Sequence, residues 1–249
     1  MTLFGVEIWG GVVAFVRIGA IFMLLAGFGE QQIPTSIRLA AALLLTLVIA
    51  PALGAQLPRE PAEFATAVQI IIWEALIGLA IGSVSRILQT ALTTAGQIIG
   101  FESGLAFAQV QSADINQAGQ VIGVFYSLLG VALIFITGVH QLLIAAIAAS
   151  YQMFPPAAPP PFEDFTAWAV QATSEAFLLG ARIAAPVMLA GVIFRVASAV
   201  LARLTPQVQV FFIGLPLNVA LGLAVVALSL SSGMLIWLDR MQDFALELR

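Results

Sequence analysis

Among the charged side chains that stand inside long apolar runs are Arg17, Glu74, Arg182 and Arg195. An arginine at the centre of a lipid-facing helix costs about 2.5–3.5 kcal/mol even on the lenient insertion scale, so such residues turn toward a bundle interior or a water-filled cavity. Arg17, Glu74 and Arg195 are therefore expected to be buried charges. Charge economy alone suggests that Arg17 pairs with Glu74. The segment Gly100-Phe101-Glu102-Ser103-Gly104 resembles the elbow of a serine hydrolase, but its serine is fourth where G-x-S-x-G needs it third. His140, the only histidine, could act as a base for Ser103, yet no pattern orients it. A histidine packed on a backbone carbonyl is the plainer reading, and an intramembrane proton relay is the other. With no cysteine and one histidine, thiolate and multi-histidine metal centres are excluded within the chain. There is no phosphate-binding Gly-Lys loop. We expect no catalytic residue, no metal and no cofactor. Glu102 and Asp114 could instead hold a small solute in a secondary transporter, although the two halves of the chain show no evident repeat.

The 249 residues are 61% hydrophobic and 9% charged, with a mean hydropathy of +1.06. Soluble domains carry roughly 25% charge, so the chain reads as an all-α, polytopic membrane protein. Its net charge of −4 is spread thinly and leaves no nucleic-acid footprint. The start carries Glu7 and no basic n-region, unlike a cleavable signal peptide.

The elements that must position these residues follow from the apolar runs. The first, Val6 to Phe28, has Arg17 near its middle. The second, Ile37 to Leu53, opens at Pro34-Thr35-Ser36 and is expected to be closed by Pro51 and the segment Pro58 to Pro61. The third, Ala67 to Leu92, carries Glu74 and the Gly78/Gly82 pair, whose four-residue spacing lets helices approach closely. It continues into Gly96, Gly100 and Gly104, a bare ridge expected to act as a hinge. The fourth run is Val121 to Ser150. Five prolines between Pro155 and Pro161 cannot be helix interior. They divide a four-helix N-terminal part, residues 1–154, from a linker, 155–164, and a C-terminal part, 165–249. In the latter, Phe165 to Leu179 is amphipathic. Gly180 to Leu204 and Leu217 to Leu238 read as a helical hairpin around a connector from Arg203 to Pro216.

Between the third and fourth runs lies a polar, glycine-bracketed segment, residues 104–119. Non-helical backbone cannot face lipid, because each unpaired amide or carbonyl costs several kcal/mol there. The segment belongs in water, in protein, or in a cavity within an assembly. We expect a gate: Gly104 and Gly119 give backbone freedom, and Leu105, Phe107, Val110 and Ile115, around Asp114, could seal a wet lumen by dewetting. An ordinary interhelical loop is the alternative.

In order and spacing, FVRIGAIF, VIAP at Pro51, EALIGLAIG at Glu74, AGQIIGFESGLAFA, IFITGVHQLLIAAIAASYQMFP and RLTPQVQVFFIGLPL resemble the FliR family of flagellar biosynthesis proteins. The resemblance covers essentially the whole chain. The family comprises export-gate subunits of type III secretion, and injectisome homologues share the pattern. Three departures are Asp114-Ile115, where members often have Asp-Pro, Val139, where many have Gly before the His, and Asn218, where a basic residue is common. The resemblance implies a subunit of a helical hetero-oligomeric export gate in the bacterial inner membrane, at the flagellar basal body. It would join FliP-like and FliQ-like subunits, its N-terminal part resembling the first and its hairpin the second. The polar segment would plug a pore that passes unfolded flagellar proteins. Arg203, Pro206, Gln207, Phe211, Phe212 and Pro216 would meet a FlhB-like switch protein.

Overall fold

A computed structural model describes residues 2–3, 6–30, 33–105, 120–205 and 210–248. Of the residues singled out above, Phe107, Val110, Asp114, Ile115, Gly119, Pro206 and Gln207 lie outside the described residues, as do the side chains of Phe211 and Phe212. The architecture is all-α: α1 (Ile8–Leu24), α2 (Thr35–Leu53), a 3-10 turn (Gly54–Gln56), α3 (Phe64–Glu102), α4 (Gln120–Ile136), α5 (Val139–Met153), α6 (Phe162–Leu204) and α7 (Val210–Glu247). A two-residue antiparallel pairing, Thr2↔Glu7 and Leu3↔Val6, precedes α1. Among the described residues four helices are long and apolar enough to cross a membrane, or five if the bent pair α4–α5 is one span.

Several boundaries differ from the sequence expectation. The fourth apolar run is two helices, bent by 76°, so the described residues of the N-terminal part form five α-helices. The break falls where Gly138 adopts φ +79°, a conformation that costs glycine nothing. The Thr137 hydroxyl donates back to Leu133 O at 2.7 Å beside it. Pro51 does not close α2, which continues to Leu53. Residues 165–204 form one helix, α6, with Pro186 inside it. The expected connector from Arg203 to Pro216 is shorter, since α7 begins at Val210 and takes Pro216 into its second turn. Pro216 lies beyond the first four residues of α7, so its missing N–H leaves the carbonyl four residues earlier without that intrahelical donor. At 1.5 Å per residue the 39, 43 and 38 residues of α3, α6 and α7 span roughly 55–65 Å. That is about twice a bilayer core of ~30 Å.

The chain divides into two units. The first comprises Met1–Leu88, Val131–Thr173 and Met241–Arg249. Its core is built on α1: Val13, Ala14, Ile18, Ile21 and Phe22 are buried, with Ile77 and Ile81 of α3 and Leu143, Ala146 and Ile147 of α5. The spacing of Gly78 and Gly82 puts both on the face of α3 that meets α1. A Cβ at Gly78 would lie 2.6 Å from Arg17 O and 2.7 Å from Ala20 Cβ, and one at Gly82 would lie 3.1 Å from Ile21 O. The missing side chains let the two backbones touch. The second unit comprises Gln89–Gly130 and Ser174–Arg240. In it α6 and α7 run antiparallel: Gly233 packs on Ile183, and Arg240 Nη2 reaches Glu175 Oε2 at 2.7 Å. Gly96 and Gly100 lie within unbroken α3. A Cβ at Gly96 would overlap the backbone of Gly123 on α4, so this glycine serves a helix crossing, and the chain leaves helical geometry only at Gly104.

The replacement Gly78→Val should cost about 1–3 kcal/mol by overpacking, read as a lowered unfolding midpoint in detergent. At Gly11, where no atom lies within 4 Å of an added Cβ, Gly11→Ala should change stability by no more than about 1 kcal/mol.

Candidate functional site

The first unit closes around one ion pair. Arg17 and Glu74 are both fully buried, and Arg17 Nε donates to Glu74 Oε2 at 2.6 Å. The pairing depends on Gly78, one turn along α3, because only its bare backbone lets Glu74 come level with Arg17. Arg17 Nη1 donates to Phe154 O at 2.8 Å and to Ser150 O at 3.4 Å, the last carbonyls of α5. The Ser150 carbonyl also accepts the Phe154 amide at 2.9 Å, and a cation at a helix C-terminus is favoured by the dipole. The guanidinium carbon lies 4.3 Å from the centroid of the Tyr151 ring, a cation–π contact that gains strength when dry. Tyr151 in turn donates its hydroxyl to Ala14 O at 3.2 Å. The other Glu74 oxygen, Oε1, accepts the amide of Ala157 at 3.0 Å.

Ala157 belongs to the proline-rich linker and has φ +63°. A left-handed alanine is held at a cost, and here the holding group is a buried carboxylate. One arginine and one glutamate thus join α1, α3, the end of α5 and the linker. Arg17 Nη2 finds no acceptor among the described residues. The sequence pointed to Arg17 and Glu74 but passed over Tyr151, Ser150 and Ala157. The signal available was the position of Ser150-Tyr151 one turn before the proline run.

The expectation that Arg195 is buried is corrected. Its side chain is 62% exposed, because it projects from a face of α6 where Val192, Ile193 and Val196 are also exposed. Arg182 is exposed as well. Arg195 nevertheless has a partner, forming an ion pair with Glu102 at the end of α3. The Glu102 carbonyl accepts Asn218 Nδ2 of α7 at 3.0 Å. Gly104, two residues on, has φ +77°, and Leu105 is the last described residue before the polar segment. Glu102, Gly104, Arg195 and Asn218, with Phe101, Phe194, Ala199, Gly214 and Leu215, line an open groove of ≈ 400 Å³. Glu102, considered above as a solute ligand, is therefore already engaged, and Asn218 caps a helix end. At the connector, Arg203 is exposed on the last turn of α6 and Pro216 is inside α7.

The hydrolase geometry is not assembled. The Ser103 hydroxyl is buried and donates to Gly100 O at 3.3 Å. His140 Nδ1 lies 3.2 Å from Ile134 O. A carbonyl can only accept, so Nδ1 carries the proton, and the ring staples the α4–α5 break with Phe135 tilted against it at 5.3 Å. No group of three or more potential metal ligands occurs among the described residues.

Across residues 8–244 the chain matches the family described as bacterial export proteins, family 1. It is 39% identical over 237 residues to the flagellar biosynthetic protein FliR of Caulobacter vibrioides, covering 95% of this chain and 94% of that one. To the flagellar biosynthetic protein FliR of Aquifex aeolicus it is 29% identical over 243 residues, 94% and 90% of the two chains. To the Yop proteins translocation protein T of Yersinia pestis it is 27% identical over 179 residues, 71% and 68% of the two.

The contacts of the buried pair decide how it should be tested. Exchanging the two charges would place a carboxylate against the Phe154 and Ser150 carbonyls and a cation against the Ala157 amide, so the exchange should not rescue. Removing both charges should. Arg17→Met or Glu74→Leu alone should cost about 3–5 kcal/mol by stranding the other charge. The double variant should be more stable than either single variant and recover most of the summed loss, measured as a double-mutant cycle of unfolding midpoints.

Proposed function

Because the chain belongs to the bacterial export proteins, family 1, we propose that it is a subunit of the flagellar type III protein export gate. The observation that carries this reading is the match over residues 8–244, which takes in the ion-paired core, the end of α3 and both long C-terminal helices. The flagellar reading is favoured over the injectisome one by extent and identity. The Caulobacter relative shares 39% over 95% of this chain, against 27% over 71% for the Yersinia protein.

In this reading the chain lies in the inner membrane at the flagellar basal body. It joins FliP-like and FliQ-like subunits in a closed helical assembly. The N-terminal part takes the place of a FliP-like subunit and the α6–α7 hairpin that of a FliQ-like one. Three features support an assembly. The three longest helices exceed a bilayer core, Arg195 and Arg182 are exposed on a mostly apolar helix, and α2, α6 and α7 present many exposed large apolar side chains. Residues Arg203, Pro206, Gln207, Phe211, Phe212 and Pro216 form the contact with a FlhB-like switch protein. The segment from Gly104 to Gly119 is the gate of the pore through which unfolded flagellar proteins pass, with Leu105, Phe107, Val110 and Ile115 as its seal. Its root at the groove beside Arg195 and Asn218 supports this role, since a polar segment leaving a membrane-class helix requires a wet exit. The chain contributes a conduit, and no catalytic step, metal or cofactor is assigned to it.

Deleting residues 105–119 should raise ion leak across the inner membrane, read with a potential-sensitive dye in growing cells. Unchanged leak with a correctly assembled complex would overturn the gate.

A further inference from the structure

We infer that Glu102 is a positioning residue that tethers the end of α3 to both helices of the C-terminal hairpin, and thereby sets where the gate segment departs. The inference rests on the gate reading above and deepens it.

The observations concern three consecutive residues. The Glu102 carboxylate takes Arg195 from α6, and its carbonyl takes Asn218 Nδ2 from α7. Ser103 is pressed on Gly222 of α7, where an added Cβ would lie 2.5 Å from Ser103 Cβ. Gly104 stands against Asn218, 3.2 Å from Nδ2 to the position a Cβ would take. Each helix of the hairpin offers two positions four residues apart, hence on one face. On α6 these are Gly191 and Arg195, and on α7 Asn218 and Gly222. Gly191 is part of the device. A Cβ there would lie 2.8 Å from Glu102 Oε2 and 3.3 Å from Arg195 Nη2, so the glycine leaves room for the carboxylate. Arg195 is aimed along its own helix by a bond from Nε to Gly191 O at 3.3 Å.

An ion pair this exposed contributes little to folding stability. Its geometry does something else: it ties one residue to two helices through two different atoms. A shift of α6 along α7 must strain one tie or the other, and the strained residue is the last of α3. The carbonyl tie answers a helix terminus, whose acceptors need partners from outside the helix. The carboxylate tie has no such duty and is free to serve position.

The test uses the whole export complex in cells, with leak measured by the same dye and assembly checked by native electrophoresis. Arg195→Glu and Glu102→Arg should each raise leak several-fold while the unfolding midpoint of the purified chain stays unchanged. The exchange Glu102→Arg with Arg195→Glu should return leak toward the parent level. Glu102→Gln, which keeps shape and removes charge, should leak less than Glu102→Arg and covers the case in which the reversed charge blocks assembly. If Arg195→Glu and Glu102→Gln assemble without leak while deletion of 105–119 leaks, the tether is wrong and the gate stands. If the single variants leak and the exchange does not rescue, the effect is local damage and the tether is again wrong. If the deletion itself does not leak, the gate reading falls and the tether falls with it.

Discussion

A fully buried arginine must be satisfied by protein, and the N-terminal unit is arranged around that demand. Arg17 is carried into the core by α1, the helix whose apolar residues fill the unit. Desolvating it costs several kcal/mol, and one carboxylate does not return this unless the remaining donors are also met. Glu74, the Ser150 and Phe154 carbonyls and the Tyr151 ring meet most of them. Glu74 lies on α3, and Ser150, Tyr151 and Phe154 lie together at the end of α5, so satisfying the charge fixes α1, α3 and α5 against one another. The same carboxylate reaches on to Ala157 and holds the linker in a left-handed turn. The pair therefore specifies geometry more than it adds stability, and an apolar core of equal volume could be as stable.

The second unit is organised by a different constraint, the close approach of backbones. Gly123 and Gly96 meet on α4 and α3, and Gly233 brings α7 onto Ile183 of α6. Between helices of lipid-like polarity the hydrophobic effect gives little preference for association, so contact area and short interhelical distances carry the packing. The charged groups of this unit are kept at its surface, where Glu102–Arg195 and Glu175–Arg240 are part-exposed pairs. The first joins the end of α3 to α6, and the second joins α6 to α7. This contrast with Arg17 explains why the two kinds of mid-run arginine behave differently.

Much of the fold was legible in the sequence. Membrane class followed from composition, and the proline run and the hairpin followed from breakers and apolar length. Arg17 and Glu74 were legible as a cost that needed a partner, and Gly78 and Gly82 as a helix contact. What periodicity could not show was continuity. Pro51 was read as a closing residue and Pro216 as part of a connector, yet α2 and α7 run through them, as α6 runs through Pro186. The α4–α5 break was hidden for the opposite reason, since Thr137-Gly138 keeps the run apolar while Gly138 turns it. Arg195 was misread as buried because hydropathy reports the run and not the face. Asn218 was noted only as a missing charge, and its amide proves to cap α3. Glu74 was suggested as the partner of Arg17 by charge economy, but the Ser150 and Phe154 carbonyls were out of reach, because backbone acceptors carry no sequence signal.

The central claim is that this chain is one subunit of a hetero-oligomeric export gate. The most direct measurement is native mass spectrometry of the tagged chain, extracted in mild detergent from cells expressing FliP-like and FliQ-like subunits. The account predicts one discrete complex containing all three. A stable monomer or homodimer, recovered from those same cells without the partners, would contradict it.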